Sequence, residues 1–323
     1  MHMSDALLSP VVGGAMWAAT AGVTACAARR LDRLADSARV PLMGVMGAFV
    51  FAGQMVNFSI PLTGSSGHLG GGLLLAILLG PHAAFIVMFS VLAVQALFFA
   101  DGGLLALGCN VFNLAFFSSY LVYPLVWRPL AGPRPRRGRL LAATILSAVV
   151  GLQLGALGVV LQTAASGVSS FPLGRFLLLM QPIHLVIGVF EGLVTASVVL
   201  LVSRARPEVL AQREVAPRRT MRPVVVGLAA AAALTGGVAS WFASALPDGL
   251  EWSLARAAGA APDAEAAPTW PSPSAGTSTA GLVGALLVLV LAAAIGYGIR
   301  LVRRRGSGPE PSALSPPAID PRG

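Results

Sequence analysis

The nitrogen donors that this sequence offers a metal ion are concentrated at its first two residues and in one later loop. A free amino terminus followed by histidine supplies three nitrogens: the Met1 amine, the deprotonated His2 amide and the His2 imidazole. These atoms close adjacent chelate rings in one plane. His68, in a Gly-, Ser- and Thr-rich loop at 61–72, is expected to fill the fourth position. Because planar nitrogen coordination suits Ni(II), Cu(II) and low-spin Co(II), the sequence predicts a transition-metal site formed by Met1, His2 and His68.

Other polar residues lie within or beside apolar segments, where polar side chains are costly and face a bundle interior or a cavity. Gln54 and Asn57 are expected one turn apart on a single helix face, and Ser66 shares the loop of His68. These residues are either partners of the metal-binding groups or ordinary interhelical hydrogen-bonding groups. His184 and Glu191 are separated by about two helical turns, so they face the same way. They form a second metal site or proton relay, or else a buried pair that fixes helix orientation.

The composition is that of a polytopic membrane protein. Hydrophobic residues make up 56% of the chain, charged residues only 11%, and the mean hydropathy is +0.79. The chain contains no lysine, and all 22 positive charges are arginines. A Walker A loop needs its lysine to bind the nucleotide phosphates, so the chain is not its own P-loop ATPase.

The net charge of +9 does not indicate a nucleic-acid partner, because the arginines cluster in short loops between apolar runs. This distribution is typical of cytoplasmic loops in membrane proteins. It predicts an amino terminus outside the membrane and a carboxyl terminus in the cytoplasm.

The apolar runs predict an all-α fold: a seven-helix bundle with a buried amino terminus, followed by two extra C-terminal transmembrane helices. The loop at 61–72 is expected to re-enter or cap the bundle, because such a backbone is tolerated at membrane depth only where protein or a cavity covers it. The predicted apolar segments are 6–28, 41–60, 73–80, 82–100, 104–127, 140–165, 176–203, 223–243 and 280–299.

Small residues recur along one face of the first helix. Gly14, Ala18 and Gly22 are spaced by four residues, with Ala15 and Ala19 beside them. Such a stripe permits close helix packing. It serves either internal packing or the docking of a partner membrane subunit.

Several separated segments carry a family resemblance that covers roughly residues 1–203. The first ten residues, Met-His-Met-Ser-Asp-Ala-Leu-Leu-Ser-Pro, are similar to the start of CbiM/NikM proteins. Similar segments follow in the same order at 64–72, 76–81, 95–103 and 184–192. The resemblance implies the substrate-binding membrane component of an energy-coupling-factor importer for Co²⁺ or Ni²⁺, with no cofactor of its own. It also implies a prokaryotic cell membrane location, a transmembrane coupling subunit and two ATP-binding subunits as partners.

The sequence indicates that the C-terminal part is an appended module. A cytoplasmic Arg-rich linker is predicted at 204–222, a two-helix module at 223–305 and a disordered tail at 306–323. Between the two helices, Pro247-Asp248-Gly249-Leu250-Glu251 resembles the PDGLE motif of the small CbiN/NikN-type component. Without the resemblance, the residue types of this segment predict only a turn that leads into a short helix.

Three functions are compared. The first is metal capture for a multi-subunit importer, whose ion supplies cobalamin synthesis or nickel enzymes. The second is a proton-coupled transporter that acts alone through His184 and Glu191. The third, an intramembrane enzyme, is disfavoured because HExxH and GxSxG motifs are absent. Planar nitrogen donors favour nickel by geometry, but the sequence does not decide between the two metals.

Overall fold

The computed structural model describes residues 2–34, 39–133, 135–205, 222–260 and 275–306. The predicted linker at 204–222 and the predicted tail at 306–323 lie outside these residues apart from their end positions. Met1, one of the three predicted metal ligands, is also outside them.

Helices form nearly all of the regular structure, which confirms the predicted all-α class. Those of the first part are α1 (Pro10–Leu34), α2 (Arg39–Gln54), α3 (Gly72–Leu79), α4 (Pro81–Phe98), α5 (Leu107–Ala131), α6 (Arg137–Ser166) and α7 (Leu173–Ala205). Those of the C-terminal part are α8 (Arg222–Gly237), α9 (Gly249–Ala257) and α10 (Ala275–Gly306).

Six of these helices are long and apolar enough to cross a membrane, namely α1, α4, α5, α6, α7 and α10. The helices α2 and α8 are apolar but shorter. The seven helices before residue 206, α1 to α7, form the predicted seven-helix bundle, and α3 is wholly buried within it. Helix α3 is apolar on every side, as expected of a helix enclosed by its neighbours.

Several helix boundaries differ from the sequence prediction, and two of them lie close to the predicted metal site. Helix α1 begins at Pro10 rather than at residue 6, because proline fits the first turn of a helix and has no amide hydrogen to donate further along. Helix α2 ends at Gln54 rather than at residue 60. Asn57 therefore lies beyond the helix, and the expectation that Gln54 and Asn57 share one helix face is wrong.

The segment after α2 forms a short hairpin that the sequence did not predict. Strand β1 (Phe58–Ile60) pairs antiparallel with β2 (Ser65–Gly67). The turn between them contains Gly64 at φ +73°, a left-handed conformation that glycine adopts at little cost. The predicted capping loop is therefore this hairpin, and its second strand leads directly to His68.

The C-terminal helices pack against α2 and are part of the same bundle. Helix α10 approaches α2 so closely that a Cβ atom placed on Gly44 would lie 2.9 Å from the carbonyl oxygen of Leu289. Small residues permit this close approach between apolar helices. The chain between α8 and α10 consequently returns over the end of the bundle that carries the hairpin, where the Ser244 amide donates to the Asn57 carbonyl oxygen at 2.8 Å.

Candidate metal centre

His2 and His68 meet at the hairpin end of the bundle. Their imidazole rings stack with centroids 5.1 Å apart and an angle of 17° between the ring planes. Two of the three predicted ligands are thus brought together from distant parts of the sequence.

The position of His2 is fixed by its neighbour Met3. The Met3 amide donates to Asn110 Oδ1 at 2.8 Å, and the Met3 carbonyl accepts from Asn110 Nδ2 at 3.1 Å and from the Gly103 amide at 2.9 Å. The Met3 side chain is fully buried. The beginning of the chain is therefore held inside the bundle against α5 and the loop before it, in agreement with the predicted buried amino terminus.

The imidazole of His2 is buried and uncharged at neutral pH. Its side chain is 6% exposed, and its Nδ1 atom lies 3.3 Å from Asp101 Oδ1. Burial lowers the pKa of His2 to about 4, and the nearby Asp101 carboxylate opposes this shift only partly. Within the described residues, Nε2 of His2 has no hydrogen-bond partner. A neutral ring can bind a metal without first losing a proton.

The ring of His68 contacts two acceptors. Its Nδ1 atom lies 3.1 Å from the carbonyl oxygen of Leu69, and its Nε2 atom lies 3.8 Å from Oδ2 of Asp248. Burial raises the pKa of the Asp248 carboxyl group, but neighbouring positive charge, including that of the His68 ring, outweighs burial and holds this pKa well below its usual range. Asp248 is therefore a carboxylate throughout the physiological range of pH.

The loop after His68 is anchored by two of the predicted polar residues. The Glu191 carboxylate accepts from the amides of Gly70 and Gly71, each at 3.0 Å. Gln54 Nε2 donates to the Gly70 carbonyl at 2.8 Å. Gln95, which was not singled out as a site residue, donates through Nε2 to Gln54 Oε1 at 2.9 Å. An uncharged polar residue inside the apolar run 82–100 was the signal that could have identified it.

The remaining predicted residues have different positions. His184 lines a small cavity together with His68 and Asp248, and its Nδ1 atom lies 2.8 Å from the Met180 carbonyl oxygen. Ser66 contacts the C-terminal module instead of the histidines: its hydroxyl donates to the Leu246 carbonyl at 2.7 Å. The stripe residues of α1, by contrast, all lie on the exposed surface of the helix: Gly14, Ala15, Ala18, Ala19 and Gly22.

No cluster of three or more His, Cys, Asp or Glu side chains suited to holding a metal is present in the described part of the chain. The predicted ligand set uses two side chains at most, those of His2 and His68, together with the main-chain nitrogens of Met1 and His2, and it remains a prediction.

Comparison with known families gives two matches, one to each part of the chain. The profile described as CbiM, cobalt uptake substrate-specific transmembrane region, matches residues 2–209. The profile of the PDGLE domain matches residues 222–270.

Individual relatives include proteins named for either metal. A protein of Archaeoglobus fulgidus, provisionally named as a fused nickel transport protein NikMN, is 33% identical over 305 residues, which cover 91% of this chain and 98% of that protein. The cobalt transport protein CbiM of Geobacter sulfurreducens is 34% identical over 223 residues, or 66% of this chain and 62% of that protein.

A solved structure has the same fold as about two thirds of the chain. It is the crystal structure of a transition metal transporter, which superimposes with a TM-score of 0.57 at 30% sequence identity. The match covers 66% of this chain and 97% of that one.

Proposed function

Because the chain belongs to the CbiM family of cobalt uptake substrate-specific transmembrane regions and carries a PDGLE domain after it, we propose that it is the metal-capturing component of an importer for divalent cobalt or nickel. The ion is the cargo of the protein, not a resident cofactor. One relative is provisionally named as a nickel transport protein and another is named as a cobalt transport protein, so the proposal includes both metals.

The observation that carries the proposal is the stacking of His2 on His68 with ring centroids 5.1 Å apart. In the proposed site, the Met1 amine, the His2 amide nitrogen and His2 Nδ1 occupy three planar positions, and His68 supplies the fourth. Only Nδ1 of His2 can reach an ion that is bound to the main-chain nitrogen of the same residue. Binding of the ion therefore replaces the contact of Nδ1 with Asp101.

Release of the ion toward the cytoplasm is assigned to partner subunits. The chain lacks the lysine of a Walker A loop, so ATP hydrolysis is proposed to occur in two separate ATP-binding subunits joined by a transmembrane coupling subunit. The exposed small-residue stripe on α1 is the proposed docking face, since a surface without large side chains lets a second helix approach closely. In this arrangement the hairpin end faces outward and the carboxyl terminus faces the cytoplasm of a prokaryotic cell.

The competing function, proton-coupled transport through His184 and Glu191, has less support. His184 is paired with the Met180 carbonyl, while Glu191 is paired with the amides of Gly70 and Gly71. Separate main-chain partners of this kind favour structural roles over proton exchange between the two side chains.

Uptake of radioactive nickel or cobalt by cells that lack their own importer distinguishes these functions. We expect uptake when the chain is produced with its coupling and ATP-binding subunits, and loss of uptake when the ATP-binding subunits carry a Walker A Lys→Ala substitution. Uptake by the chain alone, without those subunits, that a protonophore abolishes would support the proton-coupled transporter instead.

A further inference from the structure

A segment of the C-terminal module, residues 244–248, is bonded to the hairpin at two points. Before β1, the Asn57 carbonyl accepts from the Ser244 amide at 2.8 Å. In β2, the Ser66 amide donates to the Pro247 carbonyl at 2.8 Å. Strand β2 therefore has main-chain partners on both of its edges, since its other edge pairs with β1.

Two side chains add to this main-chain contact. Ser66 is fully buried, and its hydroxyl donates to the Leu246 carbonyl at 2.7 Å. Trp252, in α9, donates through Nε1 to the Thr63 carbonyl at 2.9 Å. Because Thr63 lies in the turn between the strands, the module holds both the second strand and the turn that leads into it.

The residues of the PDGLE motif give the module the shape that these contacts need. Pro247 presents its carbonyl to β2, and Asp248 caps α9 by accepting through Oδ1 from the amides of Leu250 and Glu251, both at 2.8 Å. Gly249 lies so close to α7 that an added Cβ atom would be 3.1–3.2 Å from three of its side chains. The start of α9 is thereby fixed against both the hairpin and the bundle.

The contacts with the module end two residues before His68. On its other side, the Glu191 carboxylate accepts from the amides of Gly70 and Gly71, each at 3.0 Å. His68 therefore lies between two anchors, one from α7 and one from the C-terminal module. A ligand held in this way loses less conformational freedom when it binds an ion, and its affinity rises accordingly.

From these contacts we propose that Ser66 and Trp252 are positioning residues of the metal site, through which the PDGLE segment holds the His68 loop in its metal-binding conformation before the ion arrives. Neither side chain is a ligand in this proposal, since both act through β2 and its turn. The inference rests on the proposed function, and it leaves the planar set of Met1, His2 and His68 unchanged. When the binding conformation is populated for only a fraction of the time, the apparent dissociation constant rises by the reciprocal of that fraction.

The test compares the double variant Ser66→Ala/Trp252→Phe with the matched control Ser240→Ala/Trp241→Phe, each in the purified full-length chain. Both variants remove one hydroxyl group and one indole N–H group, and both keep an aromatic ring at the tryptophan position. The hydrogen bonds that the control removes stay within the C-terminal module, because the Ser240 hydroxyl donates to a carbonyl of α8 and the Trp241 indole to a hydroxyl of α10.

Hydrogen exchange of the metal-free proteins, followed by mass spectrometry, measures the hold directly. The amides at 66–69 are expected to exchange about threefold faster or more in the double variant, because two lost hydrogen bonds make local opening easier. In the control their exchange should change less than about twofold. Equal exchange at 66–69 in the double variant and the wild type would overturn the proposal, and this measurement needs no metal.

Nickel titration of the same proteins connects the hold to the metal site. The dissociation constant of Ni(II) is expected to rise about threefold or more in the double variant and less than about twofold in the control. The number of ions per chain and the absorption spectrum of the bound nickel should stay those of the wild type, because the ligands are the same.

Three results of the titration would overturn the positioning role: unchanged affinity beside faster exchange, a changed nickel spectrum, or fewer ions per chain at unchanged affinity. The first removes the link to the site, the second indicates an altered ligand set, and the third indicates partial unfolding. In all three the wild type still binds nickel. A wild type that binds neither nickel nor cobalt would instead contradict the proposed function itself.

Discussion

His2 and His68 are held in place by different groups, one at each side of the site. His2 is fixed through the hydrogen bonds of Met3 with Asn110, and His68 through those of Glu191 with the loop that follows it. The chemistry of these two histidines was recognisable from the sequence, because a histidine at position 2 offers a chelate that few other residues can make. Their separation was not predictable, since it depends on packing between segments far apart in the chain.

The substitution His68→Ala is expected to remove one nitrogen ligand and to weaken nickel binding by at least about tenfold, measured by calorimetric titration. His82→Ala is the matched control. The His82 Nδ1 atom lies 2.9 Å from the Tyr120 hydroxyl oxygen, apart from the proposed site. If His68→Ala and His82→Ala bind nickel with the same affinity as wild type, His68 is not a ligand.

The buried His2 ring predicts that stability falls in mild acid. Its pKa of about 4 lies below the value of 6.5 for an unfolded chain, so between these two values the unfolded state binds more protons, and stability rises with pH. From pH 7 to pH 5 this histidine is expected to cost about 2 kcal/mol of folding free energy.

Thermal unfolding of the metal-free protein in detergent tests this expectation at both pH values. The midpoint of the wild type should fall more than that of His2→Gln, which has no titrating ring. If the unfolding midpoints of the two proteins fall by the same amount from pH 7 to pH 5, the pKa of His2 is not lowered.

At the level of elements, the helices were predictable and the hairpin was not. Long apolar runs identify spans such as α6 and α7 from composition alone. The strands are three residues long, which is too short for a periodic pattern. The second strand is also held from far along the chain, since the Ser66 amide donates to the Pro247 carbonyl. A second contact of this kind involves Asn57, which lies beyond the end of α2: its carbonyl accepts from the Ser244 amide.

Glu191 links α7 to the loop before α3, so Glu191→Ala should disturb both stability and metal binding. The substitution leaves the amides of Gly70 and Gly71 buried without an acceptor, at a cost of about 1–3 kcal/mol each. We expect a lower unfolding midpoint and weaker nickel binding than in Ser197→Ala, which changes an exposed position on the same helix. An unchanged midpoint in Glu191→Ala would show that these two hydrogen bonds do not hold the loop.

At the scale of the whole molecule, the two matched regions contact each other at the hairpin end of the bundle, where Asp248 Oδ2 lies 3.8 Å from His68 Nε2. The sequence indicated two modules and their order, but not that Asp248 reaches His68. Asp248 also belongs to an ordinary turn sequence, and nothing local to Pro-Asp-Gly reveals which distant residue the turn will contact.

The exposed stripe on α1 gives a prediction about assembly. In Gly14→Leu the new Cβ atom meets no atom of the described chain, since nothing lies within 4 Å of its position. Nickel affinity should therefore stay within about twofold of wild type, because the site is untouched. Co-purification with the coupling subunit should be lost because the docking face is blocked.

Gly138→Leu is the control for assembly, because it is an exposed helical glycine that also has nothing within 4 Å of its Cβ position. Normal co-purification of Gly14→Leu with the coupling subunit would remove α1 as the docking face.

The most direct test of the metal site is a comparison of nickel affinity among three proteins. The first is the chain with a free amino terminus, the second carries two extra residues before Met1, and the third is extended only at the carboxyl end. The amino-terminal extension converts the Met1 amine into an amide and carries His2 away from the end of the chain. Calorimetric titration is expected to give tight binding for the free chain and the carboxyl-terminal extension, and to detect no binding for the amino-terminal extension. Equal affinity in all three proteins would contradict a site built on the beginning of the chain.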